Sequence, residues 1–213
     1  MRILVTAGPT REPIDDVRFI TNASSGRMGY AVAAAAARAG HDVTLLSGPV
    51  ALEPPGGCEV VRFVSVADLK AALEARFATC DALVMTAAVG DFRPERRFEG
   101  KIARRGGPVA LRLVPTEDVL AGVAKAKRAG QVVVAFAVEP PPRAEAEAKA
   151  RAEMAAKGAD FVVVNPPAAM EAPDSDACIL SREGVVLPWG RRGKRELAEE
   201  IVRLLEAAAR EGT

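Results

Sequence analysis

Six short apolar runs, at residues 2–6, 42–46, 60–64, 82–86, 132–136 and 160–164, alternate with stretches of helical pattern at 25–39, 66–78, 117–128 and 144–157, several of them Ala-rich. Each run is apolar and β-branched without a polar face and is bounded by Gly, Asp or other polar turn residues, so it reads as a strand covered on both sides. Such strands separated by helices form parallel sheets with crossover helices. The pattern predicts an α/β fold, a Rossmann-like, doubly wound, mostly parallel sheet. Two segments break the alternation. Val109-Ala110-Leu111-Arg112-Leu113 alternates like a half-exposed strand, and Cys178-Ile179-Leu180 with Val185-Val186-Leu187 reads as a hairpin around Gly184. Together they predict a small appended β element. With 213 residues and 49% hydrophobic side chains there is material for one sizeable core, so residues 1–213 are read as a single domain, loose only beyond Arg210.

The charge balance removes several function classes. Lys plus Arg number 29 against 28 Asp plus Glu, which leaves no net field for nucleic acid or an anionic membrane. The opening run meets Gly8-Pro9 too early for the apolar core of a signal peptide, and no apolar run approaches the roughly 18 residues of a membrane span, so a cytoplasmic protein is expected. Cys58, Cys80 and Cys178 stand singly with His41 as the sole histidine, which argues against a zinc site or a disulfide framework. His41 follows Gly40 at a helix end and is given no role.

In doubly wound folds ligands bind at the carboxyl ends of strands, here the loops after Val5, Met85, Leu113 and Ala135. The first strand runs into Gly8-Pro9-Thr10-Arg11-Glu12-Pro13, and a small-polar helix start follows at Asn22-Ala23-Ser24-Ser25-Gly26. Free backbone N–H groups at a helix start hold anions. Asn22, Ser24 or Ser25 could equally serve as an ordinary helix cap. Gly26 and Gly29, which permit close backbone approach, beside Arg18 and Arg27 tilt the segment toward a phosphate site. Neither a Gly-x-Gly-x-x-Gly turn nor a P-loop is present, and the lone tyrosine, Tyr30, has Ala34 four residues on, which disfavours a dinucleotide oxidoreductase and a P-loop kinase. Ala87-Ala88-Val89-Gly90-Asp91 gives room for a flat ligand, with Asp91 able to accept from ribose hydroxyls or to hold a metal ion, although a plain strand-end turn is the alternative. Residues 91–107 form a basic, glycine-punctuated loop that reads either as a solvated surface or as a lid over a phosphate. Lys157-Gly158 is an ordinary helix ending.

The runs Thr6 to Pro13 with Asp15, Val17 to Ile20, Asn22, Ser24 to Gly26 and Met28 to Ala31 closely resemble phosphopantothenoylcysteine synthetase, as do Thr44 to Val50, Ala87 to Val89 with Asp91, and Lys101-Ile102. The resemblance covers nearly the whole chain. It implies the ligase step of coenzyme A biosynthesis: 4'-phosphopantothenate is activated by CTP to an acyl-cytidylate, and cysteine then displaces CMP. It assigns catalytic roles to Asn22, Arg18 and Lys101, the first holding the acyl-cytidylate, the second serving the second half-reaction and the third supporting nucleotide activation. Nucleotide contacts fall on Ala87, Ala88, Asp91, Lys101, Val114, Pro115, Thr116, Glu117, Phe136 and Lys157, and phosphate binding on Ser24, Ser25 and Gly26. Phe136, ending a buried run, reads as core on sequence alone. The resemblance further implies Mg²⁺ with CTP, no flavin in this chain, a homodimer joined near 109–114 or 178–187, and a phosphopantothenoylcysteine decarboxylase, fused or separate. Met1 opens directly on the first strand, so a stand-alone ligase or half of a longer protein is expected.

Three positions depart from the family pattern. Ala103, Arg104 and Arg105 stand where the lid carries further lysines, Glu153 replaces a lysine one turn before Lys157, and Asn165-Pro166-Pro167 replaces Asn-Asp. A carboxylate at 153 should repel a triphosphate, with the arginines compensating. A ligase using ATP or another acid, and a non-catalytic nucleotide-binding partner of a decarboxylase, remain as alternatives.

Overall fold

The computed structural model describes residues 1–104, 107–170 and 172–211; Arg105 and Gly106 of the basic loop and the last two residues of the tail lie outside them. In chain order the elements are β1 (Arg2–Ala7), β2 (Arg11–Pro13), β3 (Phe19–Thr21), α1 (Arg27–Arg38), β4 (Asp42–Ser47), β5 (Cys58–Arg62), α2 (Val66–Phe77), β6 (Ala82–Met85) and β7 (Phe92–Pro94). There follow β8 (Leu113–Pro115), α3 (Val119–Ala124), β9 (Val132–Val138), α4 (Arg143–Lys157), β10 (Phe161–Asn165), β11 (Asp174–Ser181), β12 (Val185–Gly193) and α5 (Lys194–Glu211).

One eight-stranded sheet runs in the order β12-β11-β10-β9-β6-β1-β4-β5. Six of its strands are parallel, and β11 and β12 extend it as an antiparallel hairpin. Winding proceeds outward from β1 in both directions, so the switch point lies between β1 and β6, where a crevice at the carboxyl ends is built into the topology. The apolar runs divide by alternation. Ile3, Val5, Val43, Leu45, Val84 and Val134 pack under α1 and α5, while Leu4, Leu46, Leu83, Met85, Val133 and Val162 pack under α2, α3 and α4. Every second residue thus faces the opposite helix layer, which is why these strands show no polar face in sequence.

The expected doubly wound sheet is present, with element ends displaced by a few residues, as in β5, which begins at Cys58 rather than at residue 60. One expectation needs correction, and two elements go beyond the sequence reading. The alternating stretch 109–113 does not join the 178–187 hairpin: only Leu113 belongs to a strand, and β8 pairs antiparallel with β7 in a separate two-stranded ribbon. Its side chains alternate without a core to face, since Val109, Leu111 and Leu113 are all exposed. The C-terminal helix α5 is absent from the sequence reading, yet Leu197, Ile201 and Leu205 recur at a spacing of four and bury its inner face. The ribbon of β2 and β3 was likewise not anticipated.

His41 takes a part in the packing: its Nε2 lies 3.0 Å from Glu206 Oε1 and ties α5 to the end of α1, at the amino ends of β1 and β4, opposite the crevice. Among the described residues no helix is long and apolar enough to cross a membrane.

Candidate functional site

The loop after β1 is fixed to the loop after β6 by backbone pairing, Ala88 N–H donating to Gly8 O at 3.0 Å and Thr10 N–H to Ala88 O at 3.2 Å. Thr10 is buried, and its Oγ1 accepts from Gly90 N–H at 2.9 Å. The buried Glu12 reaches across to accept from Val66 N–H at 2.8 Å and so completes the start of α2. Much of the Thr10 to Pro13 motif therefore builds the crevice wall and leaves little for direct ligand contact.

A cavity of about 500 Å³ opens at the switch point. Its walls hold Asn22, Ala87, Ala88, Asp91, Thr116, Glu117, Phe136 and Lys157 from the expected set, and Asp118, Val138 and Met170 besides. Asn22 Nδ2 donates to Val89 O at 2.9 Å, which fixes the amide against the β6 loop. Thr116 Oγ1 donates to Gly90 O at 2.6 Å, and Thr116 N–H to Asp91 O at 2.9 Å, so the two loops bearing carboxylates are locked together. Lys157 ends α4 and lies 3.4 Å from Asp118 Oδ2, while Asp118 also caps α3 by accepting from Ala121 N–H. Phe136 is half-buried and exposes part of its ring to the cavity, which corrects the pure core reading. Glu117 pairs with Lys70 outside.

A second chamber of about 100 Å³ adjoins the first and shares Ala87, Ala88, Phe136, Val138 and Met170 with it. Ser24, Gly26, Arg27 and Met28 form its floor at the start of α1. Here the cap reading is overturned. The N-cap position is Gly26, in the left-handed region at φ 76°, and no side chain caps the helix. Asn22 bonds to Val89 O and Ser25 Oγ donates to Met170 O at 3.3 Å, so neither side chain serves as the cap, and the positive end of the α1 dipole faces this chamber.

Arg18, Lys101, Val114, Pro115 and Ser25 do not line either chamber. Val114 and Pro115 belong to β8, and the Ser25 side chain holds Met170 instead. Arg18 and Lys101 lie together on an arm beside the crevice. Arg18 Nη2 donates to Ile102 O at 3.2 Å and its Nη1 lies 3.2 Å from Asp15 Oδ2. Asp15, nearly without exposed surface, accepts from Val17, Arg18 and Ile102 N–H groups. Burial pushes the Asp15 carboxyl up, but the three backbone donors and Arg18 outweigh it and hold the group below its ordinary value. Arg97 pairs with Asp16 at 2.8 Å, and Gly100 N–H donates to the same carboxylate. The basic loop is thus docked on the 14–18 turn, with Lys101 exposed.

A testable consequence follows for Asp15→Asn. A carboxyl held below its ordinary value lends docking strength at every pH above the usual carboxylate range, and loses it only as pH falls through the lower, folded-state value. The amide keeps the size but loses the charge, so at pH 7 trypsin should cut after Arg97 and Lys101 several-fold faster in the variant. Unchanged cleavage would remove Asp15 as the anchor.

Glu153 lies outside both chambers, 3.9 Å from Lys149 and 3.7 Å from Lys157, so its charge is set against two neighbouring lysines on α4. Burial pushes the Cys80 thiol up to about 11 and that of Cys178 up to about 12, and raises Cys58 as well; none lines the chambers, and none is poised as a thiolate at neutral pH. Residues that the sequence reading did not single out, Asp118, Val138, Met170, Ser175 and Lys194, complete the walls together with Asn165, which the sequence marks only as part of a departure from the family pattern.

Residues 1–208 match the family model described as the DNA/pantothenate metabolism flavoprotein C-terminal domain. The chain is 43% identical over 213 residues to the coenzyme A biosynthesis bifunctional protein CoaBC of Mycobacterium bovis, an alignment covering 94% of this chain and 51% of that protein. It spans about half the length of such curated relatives. The crystal structure of the C-terminal domain of a CoaBC superposes with a TM-score of 0.83 at 34% identity, covering 99% of this chain and 96% of that one. The H337A variant of Cab2, in complex with phosphopantothenate-cysteine, shares the fold with a TM-score of 0.82 at 17% identity, covering 99% of this chain and 86% of that one. The chain belongs to the family of the DNA/pantothenate metabolism flavoprotein C-terminal domain, the phosphopantothenoylcysteine synthetase family that its N-terminal motifs resemble.

Proposed function

We propose that this chain joins 4'-phosphopantothenate to cysteine in coenzyme A biosynthesis, using CTP and passing through an acyl-cytidylate. The observation that carries the reading is the pairing of two chambers at one switch point: a larger one walled by carboxylates, a lysine and an aromatic face, and a smaller one at an uncapped helix start. The names of relatives that the chain matches over nearly its whole length support it. In this reading the substrate carboxylate attacks the α-phosphorus of CTP, forming the acyl-cytidylate as pyrophosphate leaves. The cysteine amine then attacks the acyl carbon, forming the amide as CMP leaves. Phe136 supplies a flat apolar face for the base, Lys157 a positive charge near the phosphates, and Asn22 an amide fixed by Val89 O beside the reacting carbonyl.

Among the described residues no three acidic, His or Cys side chains cluster so as to cage a metal ion. The site therefore fits Mg²⁺ carried by the triphosphate, with Asp91 or Asp118 as a single carboxylate ligand. When bound, the ion neutralises the charge of the departing pyrophosphate.

Purified protein with Mg²⁺, 4'-phosphopantothenate and either CTP or ATP, with and without cysteine, tests the proposal. Pyrophosphate release that prefers CTP, with amide detected by mass only when cysteine is present, is the expected result. Preference for ATP would move the chain to the alternative nucleotide, and no release with either would leave a binding role beside a decarboxylase, fused or separate.

The homodimer belongs to the same proposal. Phe19, Phe92 and Leu113 on the β2–β3 and β7–β8 ribbons, which touch through β2 and β7, and Val17, Val109 and Leu111 in the segments leading into β3 and β8 are each at least 37% exposed. An apolar surface of this kind fits a second copy of the chain. Light scattering in solution should give twice the chain mass.

A further inference from the structure

Among the described residues Lys157 is the sole cation lining the larger chamber, which it shares with the carboxylates of Asp91, Glu117 and Asp118. How strongly triphosphate oxygens are held there depends on where that one ammonium points. Lys157 is the last residue of α4, a position that suits a lysine through the helix dipole whatever its side chain does. Two carboxylates set its direction. Asp118 Oδ2 lies 3.4 Å away on the chamber wall, and Glu153 Oε2 lies 3.7 Å away, one turn back on α4 and outside both chambers.

The two partners differ in rigidity. Asp118 is held at the start of α3, its Oδ1 accepting from Ala121 N–H at 2.9 Å, and the loop before it is locked because Thr116 donates to Gly90 O and Asp91 O. Its second oxygen is thus fixed opposite Lys157. Glu153 is partly exposed, and its carboxylate is divided between Lys157 and Lys149, the latter at 3.9 Å. Lys149 is in turn engaged by the buried Glu139 at 2.9 Å, so the cation left for Glu153 to attract is Lys157. Glu117, the neighbouring acid on the loop, pairs with Lys70 instead. The ammonium therefore stands between an inward partner that is fixed and an outward one that is loosely held.

We propose that Asp118 is a positioning residue: it draws Lys157 into the larger chamber against the outward pull of Glu153, and so sets the affinity for the nucleotide phosphates. The inference rests on the ligase reading and deepens it. It also gives Glu153 a different part, since its carboxylate then acts on the ligand through Lys157 and not by direct repulsion.

The test is a double-mutant cycle of Asp118→Asn, Glu153→Gln and the two together, read as kcat and as KM for CTP or ATP, whichever the wild type prefers, with melting temperatures measured alongside. Asparagine caps a helix as well as aspartate does, so Asp118→Asn keeps the start of α3 and should melt with the wild type. It should raise KM for the nucleotide about fivefold, the size of one partly exposed ion pair, with kcat changed by less than about twofold. Glu153→Gln should alter KM by less than about twofold in the wild type, where Lys157 already faces inward, yet recover most of the loss in Asp118→Asn, where Glu153 alone directs the lysine. Equal factors for Glu153→Gln in both backgrounds would mean plain repulsion, and a KM that falls in Asp118→Asn would mean that Asp118 itself repels the triphosphate; either overturns the proposal. So does a rise that extra Mg²⁺ abolishes, which assigns Asp118 to the ion. If the wild type releases no pyrophosphate, calorimetry with Mg²⁺ and CTP separates the two ideas: binding weakened in Asp118→Asn and restored in the double variant keeps the placement of Lys157 and discards the ligase, while equal binding by all four proteins, or none by the wild type, discards the placement.

Discussion

Gly29→Ala is expected to lower the stability of this protein by about 3 kcal/mol, which for a domain of this size is a fall in Tm on the order of 10 °C. The residue sits in the first turn of α1, where that helix crosses β1. A Cβ there would lie 2.4 Å from Thr86 Oγ1, 2.5 Å from Ala7 Cβ and 2.7 Å from Thr6 O. The last contact is to the backbone of the central strand, and Thr86 is itself hydrogen-bonded to Thr6 O, so no flexible side chain can yield. Relief requires α1 to lift from the sheet, which would also carry the uncapped N–H groups away from the second chamber. Gly122→Ala is the control. That glycine is in α3 with nothing within 4 Å of a built Cβ, and alanine there should stabilise by up to about 1 kcal/mol through helix propensity alone. Thermal unfolding followed by circular dichroism separates the two, and a wild-type midpoint for Gly29→Ala would refute the close-approach argument.

Such a contact is invisible in sequence, where Gly29 reads only as permission for close approach. The sheet was legible for the opposite reason: a parallel strand buried on both faces must be apolar at every position, and runs such as Ile3-Leu4-Val5 or Val132-Val133-Val134 say so without any partner being known. The short ribbons were not legible. Strands β2, β3, β7 and β8 have three residues each, several are proline-bearing, and they are held by tertiary ties such as Arg11 N–H to Val64 O, too few residues for any period to show. Helix α5 was legible and overlooked, because Leu197, Ile201 and Leu205 carry the period plainly.

The site divides along the same line. Asn22, Ala87, Asp91, Thr116 and Glu117 stand at strand ends near the switch point, where the topology itself predicts a ligand. Phe136 entered only through the resemblance, since an aromatic at a strand end is usually core. Met170, Ser175 and Lys194 reach the crevice from the antiparallel side of the sheet, and the turn that brings them there leaves no local mark in the chain.

Asn22→Ala is the second large effect, and it bears on mechanism where Gly29→Ala bears on architecture. The amide is anchored through one N–H to Val89 O, leaving its second N–H and its Oδ1 for a ligand in the larger chamber. Loss of that single bond should cost only about 1 kcal/mol of stability, so the variant should fold. If Asn22 holds the acyl-cytidylate, pyrophosphate release should stay measurable while amide formation falls by about 100-fold or more, the usual consequence of removing a donor aimed at developing charge. Lys101→Ala should give the reverse division. Lys101 is exposed on the docked arm outside both chambers; if it supports nucleotide activation, as the proposed ligase reading requires, it does so by reaching the phosphates from there, and its loss should slow pyrophosphate release while sparing the capture of preformed intermediate by cysteine. Single-turnover assays following pyrophosphate and amide together make the comparison. Equal loss of both signals in Asn22→Ala would show that the amide serves nucleotide binding instead, and normal pyrophosphate release in Lys101→Ala would mean that the arm as seen, tied down by Asp15 and Arg18, is a wall of the site and supplies none of its charge.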